Sequence, residues 1–478
     1  MISPMRIILL RPTYGSRFQV NPPLSLGYLS ASLKKNGYSD VSLIDGSLSL
    51  LTPVHAAGLA AEKRPDIVGI QVYTGSHNWT KEFIPLLKAR LPNVIVIVGG
   101  PHITALQGLA LDHIGADYGV MGEGETAIVE FAEHIEGKRD ASSVSGLIYA
   151  NGGRWCHAAV NFGFLRDANE LPFPDWDLID PRRYYPYLQG ASMPIRGKRP
   201  VPILTSRGCP YRCTFCSSGL TNKRRMRYRD PANIIAEMKM LRERFGADEI
   251  FFTDDNLTMD TARAEAIFDM MIAENVRMHW RAPNGIRIDR LTEALVGKMA
   301  RSGGYFVGLG VETGDQDIMK KIRKHLDLAV VAPVVSLFHK HGIKVSGFFM
   351  CGMRGETEEH IERSMRFALS VPFDRIQVSN YIPYPGSEDF EAIFEPMSDA
   401  YAARVDAFQK NETVPSFQDI SLPRIIALQE RFIKRFYLRP RVLLSLLLNI
   451  RLSQIKAILE HPWIRRWFSK EKQWYDEQ

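Results

Sequence analysis

Apolar positions in the first third of the chain gather into short continuous runs instead of alternating with polar ones. RIILL (6–10), VSLID (41–45), IVGIQV (67–72), VIVIV (94–98) and YGVM (118–121) are the clearest. A strand that is apolar at every position must be covered on both faces. The helical patterns between the runs, such as 24–36 and 79–90, supply those covers. Five such units predict a doubly wound, Rossmann-like α/β domain over residues 1–140, with ligands beyond the carboxyl ends of its strands. The pattern then breaks. Residues 141–198, with LPFPDWDLIDPRRYYPY among them, read as a linker lying across a surface.

A second series follows, with strands expected at 201–206, 249–254, 280–285, 305–311, 344–350 and 375–381. Helices are expected near residues 237, 266, 296, 335 and 363. Six strands in βα order predict a partial (β/α)6 barrel over 199–390, whose reactive groups come from the strand ends. Residues 391–478 read as a C-terminal helical region ending in amphipathic segments.

The chain has 478 residues, 45% apolar and 24% charged, which suits two or three domains with real cores. Its longest strongly apolar run, 442–450, is far below the roughly 18 residues of a membrane span. The opening MISPMRIILLRP enters a strand-like segment with no secretory leader pattern, so a cytoplasmic location is expected. The net charge of +7 is concentrated at one end: from Arg424 onward there are 12 Lys/Arg against 5 Asp/Glu. That tail reads as docking helices or a lid over the barrel, with peripheral membrane contact as the alternative.

Three of the five cysteines lie within eight residues, in TSRGCPYRCTFCSS. This is no disulfide framework. Cys209-x3-Cys213-x2-Cys216 can turn three thiolates toward one point only if the chain wraps around it. Gly208 frees the backbone for that loop and Pro210 stops a regular helix. Thiolates suit zinc or iron–sulfur. A structural zinc site wants a fourth ligand, and Cys156 and Cys351 are both isolated. Three ligands leave one position open, as a catalytic site requires.

With Phe215 just before the third cysteine, directly after the first barrel strand, this motif resembles the radical S-adenosylmethionine superfamily. The resemblance implies a 4Fe–4S cluster on Cys209, Cys213 and Cys216, its fourth iron chelated by S-adenosylmethionine. An electron from the cluster then yields a 5′-deoxyadenosyl radical. Later strand ends resemble the cofactor-holding motifs of the same family. Asp254 and Asp255 in FFTDDNLTMD stand where the methionyl amino group is met. Arg287 in RAPNGIRID would meet the carboxylate, and Glu312 in GLGVETG the ribose hydroxyls. Gly352 in VSGFFMCGMRGETEE, with Gly347 and Gly355, would let the backbone approach the adenine. Cys351 reads as a small buried hydrophobe. No catalytic acid or base is identifiable.

A Rossmann-like domain ahead of such a barrel resembles the cobalamin-binding members of the superfamily. The resemblance rests on Thr74 and Ser76 after the third strand, and on the Gly99-Gly100 pair after the fourth. It implies that these small residues line a slot for the nucleotide tail of cobalamin. The loop after the first strand, RPTYGSRF, lacks the Asp-x-His-x-x-Gly motif of classical methyl-carrying domains, so cobalt would be held without that histidine. His77 and His102 read as solvent-facing loop residues.

The resemblance implies a cobalamin-dependent enzyme that methylates an unactivated carbon or phosphorus centre of a small-molecule substrate. An external flavodoxin- or ferredoxin-like protein would donate its electrons. The same parts suit an oxidative cyclase or rearranging enzyme of the anaerobic magnesium-protoporphyrin monomethyl ester type. A transfer-RNA methylthiotransferase is disfavoured because no cysteine precedes Cys156. A non-enzymatic iron–sulfur or zinc protein binding nucleic acid through the basic tail is the remote alternative. It would show salt-dependent nucleic-acid binding, which is not expected here.

Overall fold

The computed structural model describes residues 5–14, 20–158, 165–188, 195–393 and 420–449. Internal contacts divide the chain into two compact units. The first takes 1–184, 201–245 and 383–414; the second takes 185–200, 246–382 and 415–478.

The first unit is built on one seven-stranded sheet. Its strands are β1 (Ile7–Arg11), β2 (Val41–Asp45), β3 (Ile67–Gln71), β4 (Ile95–Gly99), β5 (Tyr118–Val120), β6 (Leu147–Asn151) and β7 (Arg154–His157). They lie in the order β2-β1-β3-β4-β5-β6-β7. The five expected strands pair in parallel, from Ile7 opposite Val41 to Val98 opposite Gly119. Successive residues on each strand face opposite sides. Thus Ile8, Leu10, Val68, Ile70, Val96 and Val98 pack with Ala56, Ala60, Phe83 and Leu87 on one face. Ile7, Leu9, Ile67 and Ile97 pack with Leu26, Leu33, Phe131 and Ala132 on the other. This two-sided burial is why the runs are continuous.

The stretch expected to be a linker differs from that expectation. β6 and β7 form a hairpin that joins the sheet antiparallel to β5. Its turn is Gly152-Gly153, with φ of 58° and 76°, a conformation that glycine adopts without strain. Farther on, Trp176 is buried and donates its indole N–H to Glu237 at 2.8 Å. Tyr184 donates its hydroxyl to Asp45 at 2.6 Å. These are core contacts, made by a segment whose Pro and Asp content suggested a surface path.

All six strands expected of the barrel form. β8 (Pro200–Ile203) leads into the cysteine loop, which is flanked by β9 (Ser206–Arg207) and β10 (Arg227–Tyr228). In the second unit β11 (Glu249–Phe252), β12 (His279–Ile286), β13 (Gly304–Glu312), β14 (Lys344–Cys351) and β15 (Arg375–Asn380) pair in parallel, each with the next. Helices Thr261–Ala273, Glu293–Arg301, Val331–Lys340 and Glu358–Ser370 return the chain between them. At the amino ends of the strands Glu249 is fully buried. It accepts from Arg281 at 2.9 Å, from the Tyr305 hydroxyl at 2.8 Å and from the backbone N–H of Gly197 at 2.7 Å. A carboxylate so fully satisfied is structural.

Helix Leu422–Tyr437 covers the exposed edge of β15. The Tyr437 hydroxyl donates to the Ile376 carbonyl and the Gln429 amide to the Val378 carbonyl, both at 2.7 Å. That protects an otherwise unpaired strand edge. No helix among the described residues is long and apolar enough to cross a membrane. Of the basic tail from Arg424 onward, the suggested membrane contact, residues 450–478 lie outside the described residues.

Candidate active site

The cysteine loop is fastened at several points within the first unit. Cys209, Cys213 and Cys216 are all part-buried, and the Cys216 N–H donates to the Cys213 carbonyl at 3.1 Å. Thr214 points inward and donates to Asp389 at 3.0 Å, while the Asp389 N–H returns a bond to the Thr214 carbonyl. Arg224 donates to the Tyr211 carbonyl at 2.6 Å. Gly208 opens the loop at φ 94°, where an added Cβ would lie 2.2 Å from the Arg225 carbonyl oxygen. Only glycine lets the two arms of the loop approach so closely. Phe215 is half-buried on the same turn.

The arms of the loop carry Arg207 and Arg227, opposite each other in the β9–β10 pair. Both are paired with the Gly122-Glu123-Gly124-Glu125 turn after β5. Arg207 reaches Glu123 at 3.0 Å and Glu125 at 2.5 Å, and Arg227 also binds Glu123. Burial alone would raise the Glu125 carboxyl, but the charges and hydrogen bonds of Arg207, with Arg227 behind it, hold it below the usual range.

Among the described residues no three His, Cys, Asp or Glu side chains converge closely enough to hold a single metal ion. A four-iron cube takes its thiolates at separate irons and needs no such convergence. The donor set, three thiols on one anchored loop, fits such a cluster and leaves one iron without a protein ligand. Zinc in a structural site would need the fourth donor that this loop lacks.

The predicted S-adenosylmethionine residues stand at strand ends in the second unit. Asp254 is buried and Asp255 is exposed, both just beyond the end of β11 where the chain has left the strand. Arg287 already holds Asp289 at 2.9 Å and donates to the His325 carbonyl at 3.3 Å. Glu312 sits at φ 70°, beside a register shift in the β13–β14 ladder, and binds Lys324 at 2.8 Å. Non-glycine residues hold that conformation only when their surroundings enforce it, and such positions gather at functional sites.

Gly352, at φ 94°, and Met353 both donate their N–H groups to Glu356, at 2.6 and 3.0 Å. Burial pushes the Glu356 carboxyl up to about 7, against the pull of those two donors. Burial, with Glu356 beside it, also lifts the Cys351 thiol well above its usual value, so it stays protonated. Between the ordinary glutamate value and about 7 the folded chain holds a proton that the unfolded chain has released. Stability is therefore lost as pH rises through that window. Glu356→Gln, which keeps an acceptor for both N–H groups, is expected to abolish this loss. Denaturant unfolding at pH 5 and pH 8 checks it: wild type should weaken between the two by up to about 3 kcal/mol, and the variant should not.

In the first unit the residues predicted for cobalamin follow the ends of β3 and β4, which are neighbours in the sheet. Val72 continues β3, and its N–H donates to the Gly99 carbonyl at 2.8 Å. Gly100 follows at φ 109°, where a Cβ would come within 2.8 Å of the Val72 carbonyl oxygen. A Cβ on Gly99 would meet nothing nearer than 3.8 Å, an ordinary contact with Val120, so a small side chain fits there without a clash. Ser76 is occupied by its own turn, accepting from the Tyr73 N–H and donating to the Tyr73 carbonyl, both at 3.0 Å. Thr74 lies 3.2 Å from His102 Nδ1. The cradle of small residues fits a flat group that lies on the strand ends.

His77 and His102 are not solvent-facing: both are 1% exposed, and their Nδ1 and Nε2 atoms lie 3.0 Å apart. Burial, with His77 and His113 nearby, holds His102 well below the usual imidazole value and keeps it neutral. The missed signal is positional. Each follows a strand end, and β3 and β4 are neighbours in the sheet. Two aromatic residues also escaped sequence reasoning. Tyr14 and Tyr73 remain half-exposed at the same strand ends, ring centres 6.4 Å apart. Gly75 is small because Tyr14 occupies the place of its side chain, 1.9 Å from an added Cβ.

Two family models match the chain: the B12 binding domain over residues 11–132 and the Radical SAM superfamily over residues 203–368. An uncharacterized methyltransferase of Pyrococcus horikoshii is 29% identical over 468 residues, covering 96% of this chain and 95% of that one. The anaerobic magnesium-protoporphyrin IX monomethyl ester cyclase of Cereibacter sphaeroides is 25% identical over 472 residues, covering 96% of this chain and 72% of that one. Among solved structures, the radical S-adenosylmethionine methyltransferase TsrM of Kitasatospora setae, with cobalamin and a [4Fe-4S] cluster bound, has a TM-score of 0.68 at 20% identity. That match covers 82% of this chain and 78% of the other, and it speaks to the fold. With a B12 binding domain followed by a radical SAM domain, the chain belongs to the cobalamin-binding branch of the radical S-adenosylmethionine superfamily.

Proposed function

We propose that this chain is a cobalamin-dependent radical S-adenosylmethionine methyltransferase acting on a small-molecule substrate, at an unactivated carbon or phosphorus centre. The observation that carries the reading is the anchored three-thiol loop in a chain whose first domain also offers a strand-end cradle. Cys209, Cys213 and Cys216 would hold the cluster, and Thr74, Gly99 and Gly100 would line the cobalamin slot. When bound, the cluster supplies the electron that cleaves S-adenosylmethionine to a 5′-deoxyadenosyl radical, and cobalamin supplies the methyl group.

The chain's own residues bind and exclude. Phe215, half-buried just before Cys216, would shield the bound cluster from water. Asp254 would accept from the methionyl ammonium and Glu312 from the ribose hydroxyls, with Asp255 left at the rim. Arg287 would take the carboxylate in exchange for Asp289, the partner it holds at 2.9 Å. Gly352, fixed by Glu356, presents backbone where a side chain would block the adenine. A flavodoxin- or ferredoxin-like donor would supply electrons, and the reducing cytoplasm suits a cluster with one exposed iron.

A second reading is supported by the cyclase relative, which is matched over 96% of this chain. In it the same radical starts an oxidative cyclisation without methyl transfer. Methyl-labelled S-adenosylmethionine separates the two. The methyltransferase reading expects label in a small-molecule product from a cell extract, together with 5′-deoxyadenosine. Deoxyadenosine without labelled product would favour the cyclase reading.

A further inference from the structure

Four charged side chains of the first unit form one buried network outside any assigned site. Arg207 is 13% exposed, Glu123 9%, Glu125 8% and Arg227 4%. Glu123 is the residue before helix Gly124–Ile135 and Glu125 lies in that helix's first turn, while the two guanidinium groups flank the cysteine loop. Glu123 also accepts from the Leu165 N–H at 2.9 Å, and Arg227 donates to the Leu165 carbonyl at 3.1 Å and to Asn222 at 2.9 Å. The Tyr28 ring lies 5.1 Å from the Arg207 guanidinium and closes its other side.

Such a network is a poor source of stability. Desolvating four charges offsets most of their attraction, and apolar residues of the same volume would serve a core as well or better. Its net charge is zero. What it gains is position and field. Arg207 is two residues from Cys209, and a charge held out of water acts strongly on anything bound nearby. The potential of an iron–sulfur cluster is set by neighbouring net charge and by hydrogen bonds toward its sulfurs.

We propose that the Glu123–Glu125 turn is a clamp that positions the cysteine loop and, by balancing Arg207 and Arg227, sets the reduction potential of the cluster held there. These four are positioning residues. The inference rests on the reading that Cys209, Cys213 and Cys216 bind a cluster. Removing a carboxylate leaves an uncompensated cation near the cluster and makes reduction easier. Removing a guanidinium leaves an uncompensated anion and makes it harder.

The test is a dithionite titration of the anaerobically reconstituted full chain with low-potential mediators, followed by EPR. Glu125→Gln is expected to raise the reduced-to-oxidised ratio about tenfold at fixed solution potential, a shift of 59 mV for one electron. Arg207→Gln is expected to lower it by a similar factor, and the double variant to return near wild type. A purely structural role would move all three variants the same way or none, and either result overturns the proposal. If Arg207→Gln does not fold, Glu125→Asp replaces it: it keeps the charge and should leave the potential unmoved while Glu125→Gln shifts it. Equal shifts in both would refute the clamp. Absence of any cluster in wild type would instead refute the reading beneath it.

Discussion

Gly99→Ala is expected to leave the chain folded and to weaken hydroxocobalamin retention by tenfold or more, whereas Gly100→Ala is expected to damage the fold itself. The two neighbours differ for a physical reason. Gly99 ends β4 without crowding: an added Cβ would make ordinary contact with Val120, the nearest atom 3.8 Å away. A methyl group there would rest against Val120 without strain, at the strand end where the slot is proposed. Gly100 is at φ 109°, and its Cβ would press on the Val72 carbonyl at 2.8 Å. The backbone strain and the overpacking each cost roughly 1–3 kcal/mol, so the two together should remove about 2–6 kcal/mol of stability. Denaturant unfolding and cobalamin absorbance after gel filtration check both. A Gly99→Ala protein that keeps cobalamin as well as wild type would mean that the strand-end cradle is not the corrin slot.

Replacing Cys209, Cys213 and Cys216 together by alanine is expected to abolish iron binding and reductive cleavage of S-adenosylmethionine while the fold survives. The loop has other anchors: Thr214 on Asp389, Arg224 on the Tyr211 carbonyl, and Arg207 on Glu123 and Glu125. None depends on a sulfur atom. Single replacements should be nearly as severe, because a cube with two protein ligands is left with two open irons and is readily lost. Iron and sulfide analysis, with thermal unfolding as the control, distinguishes a lost cofactor from a lost fold.

The parts of this molecule that sequence displays are local ones. Continuous apolar runs are strands covered on both sides, and all eleven expected strands formed near their expected places. The spacing of the three clustered cysteines announces a metal or catalytic site, and the motif's resemblance to the radical S-adenosylmethionine superfamily implies which. What sequence hid was pairing between residues far apart along the chain. Arg207 and Glu125 are 82 residues apart, and Tyr184 and Asp45 are 139 apart. No periodicity records such contacts. The β6–β7 hairpin was readable from Asn151-Gly152-Gly153, but the proline- and aspartate-rich stretch after it drew the whole segment toward a linker. His77 and His102 each resembled an ordinary loop histidine, because their burial arises only when β3 and β4 lie side by side. Asp254 and Asp255 are alike in sequence, yet one is buried and the other exposed, a difference set by the fold of the loop after β11.

Iron speciation in the anaerobically purified chain tests the central claim most directly. Three thiolates on one anchored loop predict about four irons and four sulfides per chain, with an EPR signal of a reduced cube that changes shape when S-adenosylmethionine is added. Stoichiometric zinc with no inorganic sulfide, or a cluster signal indifferent to S-adenosylmethionine, would contradict it.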